Sequence, residues 1–425
     1  MMSRPVRCGV AALLASAAVL GGCDPGAPGD APAAAISLET FCAAPGLAPA
    51  LRHTTLVVDT GALQASAPEE FRARNPEFFK LAIGLADPAG ALLSGAIAPR
   101  ERITILAASP RSATLTPVFT GCVPGASPAE IAAGAGSAAQ KYFGSDLASQ
   151  VEKQQAAFTR QLLLSLMALN KLSETPAPAS ERFQTSPLVK LLKPLGSQGA
   201  DDPTVRRLFI FTDLRRSVPT PAASVAAART AGFETAAQAQ VTLGLAETYI
   251  VTPGGPPVEE AVEFLKAFML GSQADLRRVG GFSANGMTPA PTTVAAFRGS
   301  LAATPDYQMP MTLRLAATAD GQIVNSWISY TGSRGVRATP LAGEWTCRAA
   351  NECRLRSDPS GGLGQLWRLR PGPEPEVRED APLGGLRFAE ATETPSGLKG
   401  RIWDPVISIG RPGGGMSFEA QRAGT

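Results

Sequence analysis

Two short apolar stretches that each run into an aspartate constrain the fold of this chain more than any other feature: Thr55-Leu56-Val57-Val58-Asp59 and Leu208-Phe209-Ile210-Phe211-Thr212-Asp213. A continuous apolar run closed by a polar turn suits a strand covered on both faces, which is the environment of a parallel sheet between helical layers. Ligands of open α/β sheets bind beyond the carboxyl ends of the strands. Asp59 and Asp213 are therefore the first candidates for a common site.

Residues 38–282 continue the pattern. Strands are expected at 56–59, 103–107, 208–213 and 247–251. The capping-box spacing Ser66-Ala67-Pro68-Glu69 opens a helical segment that Asn75-Pro76-Glu77 restarts, and Ser127-Pro128-Ala129-Glu130 repeats the signal. A long amphipathic helix is expected over 137–172, where Phe143, Leu147, Val151, Phe158, Leu162, Leu166 and Leu169 recur at helical spacing. Pro256-Pro257 starts another, with Val262, Leu265, Phe268 and Met269 on its inner side. The stretch 119–125, Phe119-Thr120-Gly121-Cys122-Val123-Pro124-Gly125, is expected as a connection. Alternating strands and helices predict an α/β fold with a doubly wound, largely parallel sheet.

Beyond it, 283–304 is rich in Ser, Asn, Gly, Pro and Thr and is expected to be a linker. From 305 to 425 no helical period survives. Asp320-Gly321 between two apolar runs is a hairpin signal, and further short strands are expected at 343–347, 353–356, 365–369, 386–389, 398–402 and 416–421. These predict a small antiparallel β barrel or sandwich with Trp345, Trp367 and Trp403 in its core and Pro371-Gly372-Pro373-Glu374-Pro375 as an exposed loop. Gly343-Glu344-Trp345 is similar to the Gly-x-Trp of lipocalin-like barrels, which implies a ligand pocket as the rival use of this domain.

The N-terminus reads as a targeting segment. Arg4 and Arg7 precede an apolar stretch, 8–20, that is too short to span a bilayer comfortably. Leu20-Gly21-Gly22-Cys23 resembles a bacterial lipoprotein lipobox. That resemblance implies a signal peptide over 1–23, a diacylated Cys23 at the mature N-terminus, and a periplasm-facing lipoprotein of the cell envelope; Asp24 favours the inner membrane over the outer. A Pro/Ala/Gly tether, 24–37, follows. Of the six cysteines, Cys42, Cys122, Cys347 and Cys353 remain in the body of the protein. In an exported chain an even set suggests two disulfides, most simply Cys42–Cys122 and Cys347–Cys353. Zinc would need four ligands, and the only histidine, His53, is far from the close pair.

Residues 50–280 resemble the von Willebrand factor A family. In that family an Asp-x-Ser-x-Ser turn after the first strand, a Thr before a later helix and an Asp after the next strand hold a divalent cation. The matching positions are Asp59-Thr60-Gly61-Ala62-Leu63, Thr185 or Ser186 ahead of Pro187-Leu188, and Asp213. The chain is also similar to exported bacterial relatives of this fold with a Phe119–Gly125-like turn and a Ser-Pro-Leu helix. Gly61 and Leu63 stand where the family has serines, so the implied site for magnesium or calcium is degenerate. A hard cation prefers about six oxygens. No cofactor is expected, and Asp59 and Asp213 are expected to accept backbone hydrogen bonds at turns.

No nucleophile–base pair, phosphate-binding loop or zinc spacing is visible, so no enzymatic activity is expected. Glu259 and Glu260 suit the first turn of a helix. The net charge of +3, without a basic block, argues against nucleic-acid binding. The expected function is a membrane-anchored protein-binding or scaffolding module with an envelope protein as partner; the alternative is a small-molecule or lipid carrier using the C-terminal β domain.

Overall fold

Continuous apolar strands need cover on both faces, and the architecture supplies it. The computed structural model describes residues 42, 50–86, 96–108, 115–126, 130, 147–173, 192–196, 202–213, 224–244, 246–254, 258–272, 274–332, 335–349, 352–357, 368–369, 377–378, 388–403 and 415–423. All of these lie within one unit, 37–425. The first sheet contains β1 (Arg52–Asp59), β2 (Arg102–Ala108), β3 (Leu115–Cys122), β4 (Val205–Phe211), β5 (Glu247–Val251) and β6 (Asp275–Gly280). Their order is β3-β2-β1-β4-β5-β6. All neighbours are parallel except the edge pair β2–β3.

Successive residues of a strand point to opposite faces. Leu56, Val58, Phe209 and Phe211 therefore pack with α1 (Pro68–Arg74), α2 (Pro76–Ala86) and α3 (Leu147–Ser173) on one side. Val57, Leu208, Ile210 and Ile250 pack with α4 (Val225–Ala239) and α5 (Glu259–Gly271) on the other. The fold is thus α/β, with a mostly parallel sheet covered on both faces.

Several expectations need correction. The stretch around Phe119–Cys122 is the antiparallel edge strand β3, since it pairs with β2 from Leu115 onward. The helix α4 and the edge strand β6 were not anticipated at all. In 283–304, expected as a linker, the second half is a long strand, β7 (Thr293–Thr304). The described part of the long helix begins at Leu147. Several expectations lie outside the described residues: the signal segment and tether, the capping box at Ser127, Phe143, the Pro371–Pro375 loop, and Trp367.

The second sheet starts at β7 and continues with β8 (Tyr307–Ala317), β9 (Ser326–Gly332), β10 (Gly335–Leu341), β11 (Gly343–Ala349), β12 (Glu352–Ser357), β15 (Phe388–Thr394), β16 (Gly397–Trp403) and β17 (Met416–Arg422). Its order is β10-β9-β8-β7-β17-β16-β15-β12-β11; β13 (Arg368–Leu369) and β14 (Val377–Arg378) form a separate ribbon. Gly321 has φ 86°, as the expected turn after β8 requires. This is one curled antiparallel sheet, a half-barrel, rather than two sheets of a sandwich. Its edge β11 comes back to that turn: Trp345 N–H donates to Gly321 O and Ile323 N–H to Gly343 O, both at 2.8 Å. Phe297, Leu313, Ile328, Trp345, Leu398 and Phe418 fill the concave side.

Candidate functional site

Strand order reverses between β1 and β4, and the crevice at such a switch point is where open α/β sheets bind ligands. Asp59 ends β1. Val58 is level with Phe211, so Asp59 stands beside Thr212 and one residue from Asp213. Asp59 is 5% exposed, and Asp213 is half-buried. The Oδ1 atom of Asp59 accepts Gly61 N–H at 3.0 Å and caps the short 3-10 turn Thr60–Ala62. Its Oδ2 accepts the Thr212 hydroxyl at 3.0 Å. Thr60 in turn donates its hydroxyl to Ala108 O at 3.2 Å. Three adjacent strand ends are stitched together by these bonds.

Asp59 thus has the turn-capping role expected of it. Thr212 and Thr60, which complete the arrangement, carry no sequence signal beyond following an apolar strand. Asn75 exchanges hydrogen bonds with Gln64 N–H and O at 2.8 and 2.9 Å, and Asn170 donates to Ser66 O at 2.8 Å; together they fix the loop behind Asp59.

The donors do not suit a hard cation. Leu63 lies in the core, 6% exposed, where the family pattern has a hydroxyl. Both oxygens of Asp59 already accept protein donors. Among the described residues no group of three or more His, Cys, Asp or Glu side chains is placed to hold a metal. Thr185 and Ser186 lie outside the described residues, as does Cys23.

The opposite, amino end of the sheet is charged and sealed. Glu101 accepts from Arg52 at 3.1 and 3.0 Å, and Glu247 accepts from Arg207 at 3.0 Å; all four side chains are fully buried. Thr288 closes the cluster, with N–H and hydroxyl donated to Glu247 at 3.1 and 2.9 Å, while its carbonyl accepts from both arginines. Burial acts to raise the Glu247 pKa, but Arg207, Arg52 and Arg277 with the Tyr249 hydroxyl outweigh it and hold the carboxyl at about 2. Burial, then Glu247, pushes the Tyr249 phenol up. His53 contacts Thr104 Oγ1 at 3.0 Å, and burial, then Arg102 and Arg206, pull its pKa down. It pairs with Arg102 and Arg206 at the start of β1, so it is held among the strands at this end.

The second sheet joins at this end. Arg314 of β8 donates to Asp202 O at 2.7 Å and to Thr204 O, just before β4. Val205, Ala316 and Val324 form a small apolar contact beside it. Cys42 is bonded to Cys122, which pairs with Arg102 at the start of β2, so this bridge also lies at the amino end. Cys347 and Cys353 face each other across β11 and β12 and form the second disulfide. At about 3.3 Å per residue, the eight-residue β1 separates the two ends by on the order of 25 Å.

Among the described residues no helix is long and apolar enough to cross a membrane. No family model matches the chain, and neither the curated proteins nor the solved structures give a match.

Proposed function

We propose that the chain is a membrane-anchored, periplasm-facing lipoprotein that binds or scaffolds another envelope protein, with the carboxyl-end rim around Asp59 and Asp213 as its recognition face. One observation carries this reading. The rim stands at the switch point of the first sheet, at the end opposite both the Cys42–Cys122 bridge, where the N-terminal stretch is fastened, and the joint with the second sheet. A domain similar to the von Willebrand factor A family, anchored by lipid on Cys23 in the inner membrane, would present that rim at the end of the sheet opposite the Cys42–Cys122 bridge. The network of turn bonds at Asp59 supports recognition by a preformed surface rather than chemistry, and no enzymatic role is proposed.

The experiment is affinity capture from solubilised envelopes with the full chain. A specific protein should be enriched, lost with Asp213→Ala and retained with Asp320→Ala on the second sheet. Capture that ignores Asp213→Ala, or no enrichment at all, argues against the reading. The alternative, a small-molecule or lipid carrier working through the C-terminal β domain, has less support, because buried side chains from nearly every strand occupy the concave side of that sheet.

A further inference from the structure

The helix α3 is apolar on more than its core side. Phe158, Leu162, Leu166 and Leu169 face the sheet and are buried, yet Leu163 and Leu164 are 51% and 56% exposed. An amphipathic helix on a sheet needs one apolar stripe, and a second, exposed one marks an interaction surface. Here Leu163 and Met167, on a row that begins at Val151 and also carries Gln155 and Thr159, with Leu164 beside it, form one wall of a groove of about 1140 Å³ whose other wall includes Pro99 and Pro124. The helix carries three basic residues, Lys153, Arg160 and Lys171, against one acidic residue, Glu152.

What lies near this groove follows from the chain. Pro124 is two residues past Cys122, whose disulfide to Cys42 fixes the root of the N-terminal stretch. Eighteen residues, 24–41, separate that root from Cys23. A stretch of eighteen residues can span at most on the order of 60 Å. A bilayer holding an acylated Cys23 would lie within that distance of the root, and a surface with its own affinity for lipid would be used there.

We propose that this apolar face of α3 is a lipid-binding surface, by which the protein lies on the membrane that carries its anchor. Leu163 and Leu164 enter the acyl boundary, and the basic residues of the helix meet anionic headgroups. The location of the bilayer rests on the lipidation of Cys23 proposed above; the affinity of the groove for lipid does not.

The test is flotation of the mature chain, residues 23–425 as Cys23→Ser, which has neither the signal segment nor an acyl group, with vesicles of phosphatidylethanolamine containing phosphatidylglycerol. The protein should float with the vesicles, and Leu163→Asp with Leu164→Asp should lower the bound fraction about tenfold or more. Both side chains are half-exposed, so an unchanged melting curve is expected to show that the variant folds. Lys153→Gln with Arg160→Gln should weaken binding in low salt and flatten its salt dependence. Absence of flotation, or flotation untouched by the leucine substitutions, overturns the proposal. A concentration-dependent dimer abolished by those substitutions also overturns it and assigns the face to a second copy. Mass analysis of the N-terminal peptide of the native protein reports acylation separately, and capture at Asp213 reports the partner separately.

Discussion

Glu247 is enclosed by Arg207, Tyr249 and Thr288 with no exposed surface, and its carboxyl sits at about 2 against an ordinary value of 4.5. A carboxyl depressed in the folded state binds fewer protons there than in the unfolded chain, so its stabilisation is fully present above pH 4.5 and is lost as pH falls from 4.5 toward 2. The contribution is on the order of 3 kcal/mol. Glu247→Gln should cost about 3 kcal/mol at neutral pH, because the buried Arg207 loses its counter-charge. It should also give a shallower fall in stability below pH 4.5; urea titrations across that range check both. None of this could be read in advance from a lone arginine or glutamate at the start of an apolar strand. A charged residue there has the pattern of a solvated end, and only the return of Thr288 and the pairing of the strands bring the partners together. Asp59 was more legible, since its role depends on residues two positions away.

At the level of strands and helices, packing leaves no room for a side chain at Gly400 of β16. A Cβ built there would stand 2.4 Å from Glu390 O on β15 and 2.5 Å from the Ala391 Cβ. Gly400→Ala should destabilise the protein by about 1–3 kcal/mol through displacement of β15, measured as a lowered midpoint in denaturant with an unchanged slope. This close approach belongs to the curl of the second sheet, which a sequence read one segment at a time does not contain. The elements that were legible are those with large apolar side chains in a clear period. β5 falls at Glu247–Val251, as expected, and β1, β2 and β4 extend only a few residues beyond their apolar centres. The elements that escaped notice pack through small or polar residues. The helix α4 buries Ala228, Gly232 and Ala236, a stripe without large apolar side chains. β6 is Asp-Leu-Arg-Arg-Val-Gly, and β7 is rich in Ala, Ser and Thr, which outside a sheet has the composition of a loop.

For the molecule as a whole, the two disulfides have unequal weight. The Cys42–Cys122 bridge spans 80 residues and Cys347–Cys353 only 6. By chain entropy their removal should cost about 4–5 and about 2 kcal/mol respectively. Denaturant unfolding of Cys42→Ser with Cys122→Ser and of Cys347→Ser with Cys353→Ser should therefore rank them in that order. Both pairings match the simplest arrangement of an even set of four cysteines, of which only the Cys347–Cys353 pair has a spacing signal; the attachment of the second sheet was not legible, because Arg314 and Thr288 carry no mark of an inter-sheet contact. The position of β7 has a consequence in time. It is the first strand of its sheet, and its neighbours are β8 and the last described strand, β17, with Ala302 level with Ser417. While the chain emerges N-terminus first, one edge of β7 has to wait for more than a hundred residues to pass before its partner exists. The strands of the first sheet are all present by Gly280; the second sheet cannot finish until β17 has arrived, and a chain cut short before β17 would leave an unpaired strand edge open to whatever lies nearby.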